Sequence, residues 1–339
     1  MILLASDRIR QAGELSFKVS APKEIDDQPE RAVKQWQVFA PYFASPNDQW
    51  ITDAVDSPNH DFELLPRSAK QRNWHQTRGA KAGFSDWART IQHAGKAFRA
   101  TDCGVITVFP QLAAAAGLFK TVRRSEEPLV AWLFNTENIR SLIRRGVART
   151  SLSAVDTFVV HSTNEISGYS AILGIPEDRF QFVHQQYGGQ IEHDPPSDMT
   201  EPYVFATGSA YRDYATFFSA VEKLDLRTLV LSSDRALKGL TVPSCVTILD
   251  QVPRPEIRRL VRHAQVNVVP LTTQAETAGL ITIVEAFRHR RSVVTTNRVG
   301  LEDYVIPNET ALVAEPYDCL LYTSPSPRDA TLSRMPSSA

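Results

Sequence analysis

The sequence predicts an α/β protein built from two Rossmann-like domains, and three observations carry that prediction. Short apolar segments rich in β-branched residues alternate along the chain with segments of helical periodicity. One polar stretch with paired glycines and prolines, residues 185–202, interrupts the alternation. The chain of 339 residues is long enough for two domains that each bury a core.

The first domain is predicted for residues 35–190, after a charged lead-in of residues 1–34. Its strands are short continuous apolar runs, as expected of parallel strands that are covered on both faces. We expect these strands at residues 36–43, 62–66, 104–110, 129–134 and 156–162. Helical patterns between and after them are expected at residues 86–98, 110–122, 137–150 and 164–174.

The second domain is predicted for residues 203–318, after a linker of residues 191–202. Its strands are expected at residues 203–208, 228–233, 246–249, 266–271, 292–296 and 311–315. We expect the two Rossmann-like domains to face each other across a cleft. Ligands of such folds bind outside the carboxyl ends of the strands, so the site is sought there.

Composition narrows the possible partners and the compartment. A formal net charge of -1 provides no general attraction to nucleic acid, and no stable nucleic-acid partner is expected. The three cysteines, Cys103, Cys245 and Cys319, lack metal-type spacing and are odd in number, which favours a reducing, cytoplasmic location. The apolar stretch at the start is too short for a signal peptide, and residues 112–119 are too few to span a membrane.

The last segment, residues 319–339, differs from everything before it. It is rich in serine, proline and arginine and shows no helix or strand period. The segment resembles translated sequencing-adapter read-through, so we expect the natural chain to continue past Asp318 and the second domain to be incomplete here. A natural disordered tail is the alternative. Neither interpretation assigns a function to these residues.

One candidate site lies in residues 275–296, where a small-residue turn, a helix and an apolar strand follow one another. Gly279 permits a tight turn and leaves the first amides of the helix, including that of Leu280, pointing outward. A diphosphate oxygen can accept hydrogen bonds from such amides. Glu285 lies nearly two turns further on, where a carboxylate can accept both hydroxyls of a ribose.

A positive group is predicted from residues 203–224. There an apolar strand breaks at Gly208 and Ser209, and Arg212 stands at the predicted start of a helix. A guanidinium in that position could clamp the same phosphates. A turn glycine and an exposed charge would each be unremarkable alone, but their occurrence together with Gly279 and Glu285 favours an anion site.

These residues resemble the nucleotide-binding domain of retaining glycosyltransferases of the GT-B architecture, most closely the large family 4. In that family a basic residue opens the helix after the first strand of the second domain, and an alanine follows eight positions later, which Arg212 and Ala220 match. The family also carries two glutamates with seven residues between them. Glu285 matches the second, whereas eight residues separate it from Glu276, and Ser209 stands where many members have arginine.

The resemblance implies transfer of a hexose from a nucleotide-activated sugar to a glycan, lipid or other acceptor, with retention of the anomeric configuration. It implies catalytic roles for Arg212 and Glu276, and neither a metal nor another cofactor. The implied donor-binding residues are Gly208, Ser209, Arg212, Gly279, Leu280 and Glu285. Two alternatives stay open: a catalytically impaired GT-B binding protein and an enzyme of the nucleotide-sugar 2-epimerase type.

Candidate acceptor contacts follow strands of the first domain. Asn135 and Glu137 come after the strand at residues 129–134, and His161 ends the next strand. Each could contact an acceptor sugar at the carboxyl edge of the sheet. The alternatives are that Asn135 caps a helix and that His161 bonds only to backbone.

Arginines on one predicted helix of the first domain raise the question of a lipid partner. Arg140 and Arg144 are four residues apart, as are Arg145 and Arg149, so each pair shares a helix face. Such a face could meet lipid phosphates, which would make the protein peripheral at the inner face of the membrane. An ordinary solvated helix face is the alternative.

Overall fold

The computed structural model describes residues 33–46, 59–67, 84–135, 141–185, 201–250, 252–272 and 278–318. The predicted tail and almost all of the predicted lead-in lie outside these residues. The described residues divide into two compact units, with the boundary between residues 190 and 191. Each unit is a parallel sheet with helices, so the predicted α/β class with two Rossmann-like domains is confirmed.

Six strands form the sheet of the first domain in the described residues. They are β1 (Lys34–Phe39), β2 (His60–Leu65), β3 (Cys103–Val108), β4 (Leu129–Trp132), β5 (Thr157–Val160) and β6 (Phe180–Phe182). Their order is β2-β1-β3-β4-β5-β6, and every neighbouring pair is parallel. The helices are α1 (Phe84–Ala94), α2 (Pro110–Arg123), α3 (Leu142–Leu152) and α4 (Asn164–Leu173).

Apolar side chains cover both faces of this sheet. Phe39 and Val105 belong to the large cluster that includes residues of α1, α2 and α4. Val38 and Ile106, one position away on the same strands, belong to a separate cluster on the opposite face. Because successive strand residues point to opposite faces, this alternation explains why the strands read as continuous apolar runs.

The sheet of the second domain also has six strands in the described part of the chain. They are β7 (Val204–Thr207), β8 (Thr228–Leu231), β9 (Val246–Leu249), β10 (Val266–Val269), β11 (Ser292–Thr296) and β12 (Leu312–Ala314). The helices are α5 (Tyr214–Lys223), α6 (Asp234–Leu237), α7 (Arg254–His263) and α8 (Leu280–Arg288). The all-parallel order β12-β11-β10-β7-β8-β9 is that of a Rossmann domain.

The order of the second sheet fixes where a ligand site is expected. The chain proceeds outward from β7 to β9 and then returns to the other side of β7 to form β10. The connections that leave β7 and β10 therefore depart in opposite directions. Such a switch point opens a crevice at the carboxyl ends of the two strands, which is where ligands bind in open α/β sheets.

Two local predictions were wrong at helix starts. Arg212 does not open a helix: α5 begins at Tyr214, and the Asp213 side chain caps it by accepting from the Thr216 amide at 3.1 Å. The helix expected at residues 137–150 begins at Leu142 in the structure and ends at Leu152. Residues 136–140 lie outside the described residues. Capping side chains immediately before the observed helices explain both starts.

Three elements were not predicted, one of which is the four-residue helix α6. The strand β6 has three residues, too few to show a period, and it pairs with the edge of β5. The helix α7 is strongly charged, yet Ile257, Leu260, Val261 and Ala264 have the spacing of one helix face. That spacing was the available signal for α7, and three of these residues lie in the core of the second domain.

We predict that Gly117→Ala destabilises the first domain by about 1–3 kcal/mol. A methyl group at this position of α2 would overlap the backbone carbonyl oxygen of Ser151 in α3, and a backbone atom cannot rotate away. Gly146→Ala in α3 is the matched control, because its added methyl would meet nothing within 4 Å. The control should be neutral or stabilising by up to about 1 kcal/mol. Urea unfolding followed by circular dichroism measures both; equal stability of the two variants would contradict the packing described.

Candidate functional site

The loops that follow β7 and β10 are joined at the switch point of the second sheet. The Asp213 amide donates to the carbonyl of Pro270 at 3.1 Å, and the Thr272 amide donates to the carbonyl of Tyr211 at 3.0 Å. Arg212 and Leu271 form an antiparallel bridge between these bonds. Backbone pairing therefore holds the predicted cation beside the segment that leads into α8.

The guanidinium of Arg212 folds back over its own loop. Its Nε donates to the carbonyl of Thr207 at 3.1 Å, and Nη1 donates to the carbonyl of Ala210 at 2.9 Å. Gly208 has a φ of 109° and lies directly beneath the guanidinium, where any Cβ would overlap Nη2. The positive φ favours glycine here, and the missing Cβ leaves room for the guanidinium in this position.

Hydrogen bonds that involve three side-chain hydroxyl groups tie this loop to the neighbouring strand and helix. The carbonyl of Gly208 accepts from the Tyr214 hydroxyl at 2.6 Å and from the Ser232 hydroxyl at 2.9 Å. Ser209 Oγ accepts from the Ser233 amide at 3.0 Å. Ser209 is thus a structural link to the end of β8, in addition to its predicted donor contact. Burial raises the pKa of Tyr214, so its hydroxyl keeps its proton and donates.

The second glycine of the site, Gly279, precedes α8 and has a φ of 87°. A Cβ there would stand 2.7 Å from Val269 Cγ1 and 3.4 Å from the methyl groups of Leu271. The carbonyl of Gly279 accepts from the amides of Thr282 and Ile283, at 3.0 and 3.1 Å. The amide of Leu280 precedes the amides that form these first helical hydrogen bonds. It lies at the positive end of the helix dipole.

Leu271 is the common neighbour of the two predicted segments. Its backbone pairs with that of Arg212. Its side-chain methyl groups lie 3.4 Å from the point where a Cβ at Gly279 would stand. Its own amide donates to Thr296 Oγ1 at 2.8 Å, which adds the end of β11 to the same network. The structure therefore brings Arg212, Gly208, Gly279 and Leu280 to one edge of one sheet.

Glu285 lies buried among basic side chains. The side chain is 7% exposed, and Oε1 accepts from His289 Nε2 at 3.2 Å and lies 3.9 Å from Arg258 Nε. Oε2 lies 3.6 Å from Arg288 Nη1. Three basic side chains thus enclose the carboxylate that was expected to bind ribose. Glu276 lies outside the described residues.

In the first domain, Asn135 and His161 follow the neighbouring strands β4 and β5. Asn135 is exposed, and Glu137 lies outside the described residues. His161 is buried, and its Nδ1 bonds to the carbonyl of Val183 at 2.7 Å. Burial lowers the pKa of His161, so the ring is neutral near pH 7, and the bond to a carbonyl places the proton on Nδ1.

Aromatic residues at the carboxyl edge of the first sheet were not among the predicted site residues. Trp132 ends β4 and packs edge-on against His161, with 6.1 Å between the ring centroids. Tyr42 follows β1 and packs against Phe109, which follows β3, at 6.2 Å. The sequence signal for these residues was an aromatic side chain at the end of a predicted strand or just after it. The positive φ of 75° at Phe109 has no sequence signal.

The described residues contain no group of three or more histidine, cysteine, aspartate or glutamate side chains placed to hold a metal ion. Nor does the described part include a helix with the length and apolar character needed to cross a bilayer. Cys103 and Cys245 are both free thiols. The described residues present a guanidinium and helix amides at the edge of the second sheet.

Comparison with known proteins assigns a family model to the second domain. Residues 203–321 match the family described as Glycosyl transferases group 1. The match begins at the residue before β7 and includes β7 to β12, and thereby every described residue of the site in the second domain. No curated protein matches the chain.

Solved structures match both domains together. The lipopolysaccharide outer core galactosyltransferase WaaB, in its apo form, is 12% identical with a TM-score of 0.53, over 85% of this chain and 88% of that chain. Sucrose-phosphate synthase from Thermosynechococcus elongatus is 18% identical with a TM-score of 0.57, over 88% and 79%. Anabaena Alr3699/HepE in complex with UDP and glucose is 13% identical with a TM-score of 0.58, over 88% and 91%. At these identities the likeness concerns the fold, which is the GT-B fold of glycosyltransferases.

Proposed function

We propose that the protein is a glycosyltransferase that moves a hexose from a nucleotide-activated donor to an acceptor held by the first domain. The observation that carries the proposal is the pairing of Arg212 with Leu271 beside the start of α8, within the segment that matches a glycosyltransferase family. Support for a nucleotide-sugar donor comes from the similar fold of Alr3699/HepE, which is described in complex with UDP-glucose.

The chemistry follows from where negative charge develops. As the glycosidic bond breaks, charge accumulates on the leaving diphosphate, and donors fixed in advance stabilise it without reorganisation. Arg212 supplies a guanidinium that is already held by the carbonyls of Thr207 and Ala210. The amides at Leu280 supply the positive end of a helix. Gly208 and Gly279 let both groups approach one ligand, and Ser209 keeps the loop in place.

The acceptor role of the first domain rests on its carboxyl edge. Asn135 is exposed there, whereas His161 is buried, so an acceptor contact of His161 stays a prediction from the sequence. An acceptor role for Glu137 and a ribose contact for Glu285 stay predictions from the sequence. A catalytic role for Glu276 stays a prediction from the resemblance. Retention of configuration, and the absence of a metal or cofactor requirement, stay predictions of the same kind.

Replacing Arg212 with alanine should weaken binding of UDP, or of whichever nucleoside diphosphate binds best, by about 10- to 100-fold. Two or more charge-assisted hydrogen bonds to phosphate would be lost. Isothermal titration calorimetry measures the change. Arg235→Ala is the matched control, because Arg235 is an exposed arginine of the same domain on α6, and its affinity should equal the wild type. Unchanged affinity in Arg212→Ala would exclude the clamp.

The reaction itself is tested by incubating the protein with nucleotide sugars, with and without sugar and lipid-linked acceptors. A glycosyltransferase should release nucleoside diphosphate much faster when the right acceptor is present, because the second substrate completes the reaction. Nuclear magnetic resonance of the product reports the anomeric configuration. Epimerised donor in the absence of acceptor would instead indicate a 2-epimerase, and donor binding without any turnover would indicate an impaired binding protein.

Peripheral contact with the inner face of a membrane is a further part of the proposal. Helix α3 exposes the apolar side chains of Leu142 and Val147, at 79% and 63%, next to the exposed Arg144 and Arg149. A helix that exposes both apolar and cationic side chains is suited to anionic lipid. Co-sedimentation with phosphatidylglycerol vesicles should fall several-fold in the double variant Leu142→Glu with Val147→Glu. Equal sedimentation of wild type and variant would assign α3 to solvent.

A further inference from the structure

Three carbonyl groups of the loop after β7 accept hydrogen bonds from the protein itself. Those of Thr207 and Ala210 accept from the guanidinium of Arg212, at 3.1 and 2.9 Å. That of Gly208 accepts from two side-chain hydroxyls of the same domain, at 2.6 and 2.9 Å. Carbonyl oxygens repel an anion, so a loop whose carbonyls are turned to donors of the protein can present its amides to a phosphate.

The amides in the middle of the same loop have no such use. Among the described residues, the amides of Ser209 and Ala210 donate no hydrogen bond to another group of the protein. Both residues are partly exposed, so a ligand in solution can reach them. Successive backbone N–H groups are the main-chain groups with which proteins bind anions.

The direction of the Ser209 amide follows from the carbonyl of Gly208. In a planar trans peptide the C=O and the next N–H point in opposite directions. The Gly208 carbonyl faces the hydroxyls of Tyr214 and Ser232, and it points into the domain because Tyr214 is only 1% exposed. The N–H of the same peptide therefore points out of the domain, at the edge where β7 ends.

Tyr214 is placed to hold this peptide in one orientation. It is the first residue of α5, and its ring stacks on that of Phe218 with 5.7 Å between the centroids. Both rings belong to a buried cluster that includes Phe217 and Val230. A ring packed in this way cannot turn freely, so its hydroxyl keeps its position next to Gly208.

We propose that the main-chain amide of Ser209 binds the diphosphate beside Arg212, and that the buried hydroxyl of Tyr214, together with that of Ser232, orients this amide. The inference rests on the proposed function for its ligand and adds a donor to the same site. The guanidinium of Arg212 lies against Gly208, so the two donors are neighbours. An amide that is oriented in advance needs no reorganisation when the ligand binds.

The test compares two buried tyrosines of the second domain. Tyr214→Phe removes the hydroxyl next to Gly208 and keeps the ring. Tyr203→Phe is the matched control, because Tyr203 is 2% exposed and its hydroxyl donates to the carbonyl of Leu260 at 2.8 Å. That carbonyl keeps a second donor, the amide of Ala264, as the Gly208 carbonyl keeps its second hydroxyl. Tyr203 lies at the other end of β7 from the loop, and urea unfolding should show a similar loss of stability in both variants.

Calorimetry measures the affinity of these proteins for UDP. We expect Tyr214→Phe to bind UDP about fivefold more weakly, and the double variant Tyr214→Phe with Ser232→Ala about tenfold more weakly, because an oriented hydrogen bond to phosphate is impaired. Tyr203→Phe should bind UDP like the wild type. Wild-type affinity in Tyr214→Phe and in the double variant would overturn the inference and leave the proposed function in place, since the protein would still bind the nucleotide.

A second measurement observes the amide itself. In protein that contains ¹⁵N-labelled serine, the Ser209 resonance is the one that Ser209→Ala removes. Its amide proton should shift downfield when UDP or inorganic pyrophosphate is added, because a charge-assisted hydrogen bond forms. We expect the shift at saturation in Tyr214→Phe to be about half of that in the wild type or less, and the shift in Tyr203→Phe to equal the wild type.

The two ligands separate failure of the inference from failure of the proposed function. A Ser209 shift with pyrophosphate, reduced in Tyr214→Phe, would support the inference even if the wild type bound no nucleoside diphosphate, in which case the proposed donor would be wrong. UDP binding without any shift at Ser209 would overturn the inference alone. An equal shift in Tyr214→Phe and the wild type would overturn the positioning role of the hydroxyl.

Discussion

The candidate site depends on the backbone pairing between the loops after β7 and β10. At a switch point the two connections depart in opposite directions, and without a link they would leave an open crevice with mobile walls. The bonds from Asp213 to Pro270 and from Thr272 to Tyr211 provide that link. Because these are backbone bonds, they hold the main chain of Arg212 in register whatever the neighbouring side chains do.

Close approach is the second constraint, and two glycines satisfy it. A methyl group at Gly208 would occupy the space of the Arg212 guanidinium, and one at Gly279 would press on Val269. Both residues also have positive φ angles, which residues other than glycine rarely adopt. The sequence places a glycine before each connection, but only the folded chain shows that one supports a cation and the other brings a helix against a strand.

The strands and most helices were predictable because continuous apolar runs and helix periods survive in the sequence. The fold-back of Arg212 was not, since it depends on the conformation of Tyr211 and on which carbonyls come within reach. The surroundings of Glu285 were missed for a related reason. Its partner across the interface, Arg258, belongs to α7, a charged helix whose apolar face is short. Ion pairs between two helices depend on how the helices pack. The spacing of residues within one helix does not predict that packing.

In each sheet a residue with a positive φ angle follows one of the two strands that flank the switch point. Phe109 follows β3 with a φ of 75°, and Tyr211 lies in the loop after β7 with a φ of 55°. Such conformations cost about 1–3 kcal/mol each and persist only where the surroundings impose them. At Tyr211 the surrounding contact is the hydrogen bond that the Thr272 amide donates to the Tyr211 carbonyl. The regular strands and helices thus hold the irregular loops at the carboxyl edge of each sheet. This arrangement is needed to fix a charged group in one place before a ligand binds.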